Sequence, residues 1–153
     1  VATYQITNMA DASSRAGKFP QLEGFKGSLH NLAHGWNKPE GAVALGEWDR
    51  FMAERLAHFM TQLDSAQEEH GTVLDNTVIL YGSSNSQTHN NTNYPLILAG
   101  GRQLGFEHGQ FRKFGADVPL SNLFVTMLNR IGVPTTSFAD STSEMTDVLA
   151  STI

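Results

Sequence analysis

Residues 75–101 read DNTVILYGSSNSQTHNNTNYPLILAGG, and the reading of this stretch sets what the rest of the chain is expected to do. Two short β-rich apolar runs, 77–81 and 96–99, bracket a segment of Ser, Asn, Thr, Gln and a single His, residues 83–93, that carries no formal charge. Continuous Val, Ile and Leu without polar alternation mark strands buried on both faces, the habit of parallel sheets covered by helices. The expected fold is therefore α/β, a mainly parallel sheet flanked by helices. In such sheets ligands bind beyond the carboxyl ends of the strands, which is where residues 83–93 would lie. Eleven polar residues without Lys, Glu or Asp are an odd make-up for a solubilising surface, so the segment reads as a binding loop.

The ligand-binding candidates are Ser83, Ser84, Asn85 and Asn91 in that loop, with Trp36 as a stacking face. Their hydroxyls and amides suit sugar hydroxyls or an anionic group. The same residue types also make internal turns, and Tyr94 ahead of Pro95 favours an extended strand entry.

Composition narrows the choice. The chain has 153 residues, 40% of them hydrophobic, which fits a single α/β domain over 1–153 with a sizeable core. A start at Val1 reads as a fragment or processed part of a longer chain. The formal charge is -5 and the ten Lys and Arg are scattered, so no basic stripe points to nucleic acid. No apolar run approaches the roughly 20 residues needed to span a bilayer. Cysteine is absent, which excludes disulfides and thiolate metal sites.

Outward from the central stretch, residues 1–7 alternate and are β-branched, so a strand is expected there, followed by a long loop over 8–27. Residues 28–36 (SLHNLAHGW) fit a helical turn that puts His30 and His34 at i and i+4, the spacing at which two imidazoles share a metal. The hydrolytic zinc motif of that spacing has Glu after its first His, where this chain has Asn31. From Ala44 the steps of three and four among Leu45, Trp48, Met52, Leu56, Phe59 and Leu63 predict a long amphipathic helix, with Pro39, Glu40 and Gly41 ahead of it and Gly71 as its stop. Residues 103–114 read as a ribbon. Residues 119–134 predict a second helix with an apolar face of Leu120, Leu123, Phe124, Met127, Leu128 and Ile131, closed by Gly132 and Pro134. The Ser- and Thr-rich tail, 135–153, has no period.

Three of these segments resemble the last third of the alkaline phosphatase and sulfatase superfamily. TVILYGSSN at 77–85 resembles the family strand that ends in an Asp-His metal-ligand pair. HNNTNYPLILAG from His89 is similar to the His-Thr segment leading to a Val-Pro strand, in which the His binds metal. Residues 120–134 resemble the helix ending in Leu-Ala-Gly-Val-Pro. Closer still, the whole chain resembles the C-terminal portion of a family of secreted bacterial proteins known only as a domain of unknown function. That likeness is carried by 30–35, by 82–86 with His89, by 93–101, by 105–114 and by FADST at 138–142.

The resemblance implies a hydrolase-like domain of the phosphatase and sulfatase type, placed in the periplasm or outside the cell. It makes His89 the one ligand candidate that carries over; His30 and His34, paired by their spacing, and His108 would have to join it to hold a divalent ion, zinc, calcium or manganese. Where the family carries Asp and His after its central strand, this chain has Ser83 and Ser84, and the family's nucleophile belongs to a region outside these residues. The alternative is a non-catalytic binding or assembly module, with a glycan or protein partner, self-association or an N-terminal partner segment. On that reading a sheet edge left open needs covering.

Overall fold

The central stretch folds as an antiparallel hairpin, not as part of a parallel sheet. The structure, a computed structural model, describes residues 1–5, 19–83, 85–86, 89–93 and 95–150, with the side chain of Leu22 left aside. In chain order the elements are α1 (Phe19–Leu22), α2 (Leu29–His34), α3 (Pro39–Ser65), β1 (Gln67–Glu68), β2 (Gly71–Thr72), β3 (Val78–Gly82), β4 (Leu96–Gly100) and α4 (Ser121–Arg130). Single 3-10 turns stand at Arg102–Leu104 and Thr146–Val148. Among the described residues β1 pairs only with β2 and β3 only with β4, both antiparallel, so the expected mainly parallel sheet flanked by helices is replaced by two small hairpins. Val78 faces Gly100 and Gly82 faces Leu96 in the larger one. Parallel strands need a crossover, usually a helix, whereas consecutive strands joined by a short connection pair antiparallel. An apolar run reports burial and says nothing of its neighbour's direction. Burial itself is partial: four of the five β3 residues are half-buried, and Ile97 on β4 is 46% exposed.

Two compact units divide the chain, residues 1–58 and 59–153, and α3 runs through the division. The first unit is held by aromatic packing. Trp48 meets the edges of Phe19 and Phe25 at centroid distances of 5.9 and 5.3 Å and stacks on Phe51 at 5.5 Å. Trp48 and Met52 are the buried members of the expected α3 stripe, while Phe59 is half exposed. α3 also starts earlier than expected. Pro39 opens its first turn, where its fixed φ and missing N–H cost nothing, and Gly41 lies so close to the Gly35 backbone that any Cβ would overlap it. The helix ends at Ser65 rather than near Gly71, because Val73 N–H and Leu74 N–H donate to Ala66 and Leu63 carbonyls and draw the chain into the β1–β2 ribbon.

In the second unit the core is Ala99, Phe106, Leu123, Val125, Met145 and Leu149. Residues 103–114 form no ribbon; the described segment keeps a 3-10 turn and one isolated antiparallel bridge, Phe106 with Leu149. At the other end of the chain, residues 1–5 are exposed and form no strand, and the rest of that expected strand lies outside the described residues.

Candidate functional site

The open end of the β3–β4 hairpin is pinned by one carboxylate. Asp75 Oδ2 accepts from Thr72 N–H at 3.0 Å, and Thr72 Oγ1 accepts in return from Asp75 N–H at 3.1 Å. The Arg102 fork closes on the same carboxylate, Nε to Oδ1 at 3.1 Å and Nη2 to Oδ2 at 3.3 Å. Gly71 sits at φ 88°, and a Cβ there would stand 2.7 Å from Asp75 Oδ2, so glycine is needed at that corner. The Thr72 N–H bond is the largest influence on the Asp75 carboxyl; desolvation opposes it, and the Arg102 guanidinium adds to it, so the group is held below the usual carboxylate range. Backbone bonds from Gly101 N–H to Leu74 O and from Gln103 N–H to Asp75 O tie the same two turns together. This carboxylate is therefore structural, and it stands at the opposite end of the hairpin from His89.

At the closed end, the described residues of the candidate loop bond one another in local turns. Ser83 Oγ accepts from Asn85 N–H at 3.2 Å, and Ser86 N–H donates to Asn90 O at 2.8 Å. Asn90 Oδ1 receives both Thr92 N–H at 3.1 Å and Thr92 Oγ1–H at 2.8 Å. His89 and Asn93 take left-handed backbone conformations, φ 59° and 53°. Asn85 is half-buried, whereas Ser83, His89 and Asn91 are exposed. Ser84 and Tyr94 lie outside the described residues.

Residues 28–36 do form the expected helix. Ser28 Oγ caps α2 by accepting from Asn31 N–H at 3.3 Å, and Gly35 N–H closes it on the Asn31 and Leu32 carbonyls at 3.0 and 3.1 Å. Leu32 is buried and anchors the helix, on which His30 is half-buried and His34 exposed, their ring centroids 4.6 Å apart. Trp36 follows, 41% exposed. His30, His34 and Trp36 belong to the first compact unit and His89 to the second. Among the described residues no group of three or more His, Asp or Glu is placed to hold one ion. Two shallow grooves of about 330 and 320 Å³ also lie in the first unit, around Glu23, Phe25 and Glu47 and around Phe25, Arg50 and Glu54. None of the described candidates is among the residues lining them.

A polar cluster on α4 was not anticipated from the sequence. Asn122 is 3% exposed and uses both ends of its amide: Oδ1 accepts from Thr142 N–H at 2.8 Å and Ser143 N–H at 3.3 Å, and Nδ2 donates to Thr142 Oγ1 and Ser143 Oγ. Thr126, fully buried, donates to Asn122 O and accepts from Met145 N–H at 2.8 Å. Asn129 bonds both the N–H and the carbonyl of Thr135, and Ser121 Oγ donates to Asp140 at 2.6 Å. The available signal was the polar spacing 122, 126, 129, a second stripe on α4 beside its apolar one. These bonds hold the periodless tail against the helix, so the cluster is internal scaffolding.

No helix of the described residues is long and apolar enough to cross a membrane. No family model, no curated protein and no solved structure matches the chain.

Proposed function

We propose that this chain is a non-catalytic assembly module whose β3–β4 hairpin pairs edge to edge with a second copy of itself. The carrying observation is that β3 (VILYG) and β4 (LILAG) contain no charged residue and no proline, yet each has only one strand neighbour among the described residues. Natural edge strands are blunted by Lys, Pro, bulges or covering elements. A two-stranded hairpin is marginal alone, and its apolar surface is only half covered here. Like edges without charge have nothing to repel each other across a two-fold axis. A periplasmic or extracellular setting, implied by the resemblance, belongs to the same proposal.

The hydrolase reading has less support. It rested on the family likeness and on the position of His89 beyond a strand, and the strand before His89 is one arm of an antiparallel hairpin. The carboxylate nearest in sequence to β3, Asp75, is committed to Thr72 and Arg102.

Light scattering behind a sizing column, over a series of protein concentrations, tests the proposal. A dimer or larger species that Ile97→Lys returns to monomer, with helical circular dichroism unchanged, is the expected result. A wild-type monomer at the highest concentration rejects it.

A further inference from the structure

We infer that His30 and His34 form a two-histidine chelate for a borderline transition-metal ion, zinc, nickel or copper, across one turn of α2. Two imidazoles bound at roughly 2.0–2.1 Å, at roughly 90–110° to each other, place their ring centroids about 4.5–5.2 Å apart. The centroids stand 4.6 Å apart with the ring planes tilted by 43°. The rings thus already have the separation a shared ion requires, and small rotamer adjustments aim the nitrogens at it.

The helix that presents them is fixed at three points: the Ser28 cap, the buried Leu32 and the Gly35 turn. Neither capping group competes for the ion. Ser28 is buried and its Oγ is directed at Asn31 N–H. His30 is half-buried and His34 exposed, so an ion can reach both from solvent and keep water in its remaining positions.

The donor set selects the ion. Imidazole nitrogens suit zinc, nickel and copper, whereas calcium takes six to eight oxygens. Of the three ions expected from the sequence, zinc alone fits well. The benefit of binding falls on α2 itself. Six residues are far too few for a helix to persist by its own hydrogen bonds, and an ion bridging one turn would clamp it in the folded state.

Isothermal titration of the full chain with copper, nickel and zinc chlorides, in a weakly coordinating buffer, tests the inference. One ion per chain is expected, with copper bound more tightly than nickel or zinc, following the general order of divalent affinities. His30→Ala and His34→Ala should each weaken binding on the order of a hundredfold, because either change turns a chelate into a single-point ligand. Alanine favours helix, so both variants should keep the fold. In the wild type, sub-stoichiometric copper should broaden the imidazole proton signals of His30 and His34 before those of His58, His70, His89 and His108. Unchanged affinity in both variants, or first broadening at any other histidine, overturns the assignment.

Discussion

Single side chains decide more of the second unit's stability than their polarity suggests. Asn122 satisfies two tail N–H groups and two tail hydroxyls from a position 3% exposed. Removing the amide leaves the Thr142 and Ser143 N–H groups without their acceptor, in a place water reaches poorly. Asn122→Ala should therefore cost about 2–4 kcal/mol, more than a typical surface change. Urea unfolding followed by circular dichroism measures it, and a loss under about 0.5 kcal/mol would mean that the tail does not depend on this residue. Asp75 acts on the pH axis. Its carboxyl is held below the ordinary range by the Thr72 N–H and Arg102, so the folded state releases its proton more readily than the unfolded chain does. That contribution is complete above the unfolded value of about 3.9 and is lost as pH falls through the lower folded value. The thermal midpoint should consequently drop more steeply below about pH 4 in the wild type than in Asp75→Asn. Parallel acid profiles for the two proteins would show that the Asp75 carboxylate adds no linkage.

Elements were legible to different degrees, for physical reasons. α2, α3 and α4 all appear where a 3.6-residue period and capping residues placed them, because a helix's hydrogen bonds are local and its signals lie within its own sequence. The α3 ends shifted because Pro39 serves as a first-turn residue and the β1–β2 ribbon takes over the final carbonyls. β3 and β4 were found within one residue at each end, yet their pairing was misjudged. Strand direction is set by the connection between strands, and the left-handed backbone of His89 and Asn93 in that connection is not announced by their side chains. The candidate site divides in the same way. His30 and His34 share a face because helical spacing guarantees it, while their grouping with His89 required tertiary information that spacing does not carry. Ser83 and Asn90 are engaged in turns within the loop, which is what their composition allowed as the plainer of its two meanings.

For the whole molecule, charge and hairpin make opposing demands on assembly. Each chain carries a formal charge of -5 at pH 7, so two copies approaching each other repel over a distance set by the ionic strength, about 10 Å at 0.1 M salt. The strands that would pair carry no charge, and their apolar contact is not weakened by salt. Self-association through β3 and β4 should then strengthen as sodium chloride rises, because screening removes the repulsion and leaves the strand contact intact. A basic partner held by the protein's negative charge would behave in the opposite sense and dissociate. Sedimentation velocity at low and high salt, at one protein concentration, separates the two. A shift toward the dimer with added salt, absent in Ile97→Lys, would locate the contact on the hairpin. A dimer that dissolves with salt would place the contact on charged surface and remove the hairpin from the account of how this protein assembles.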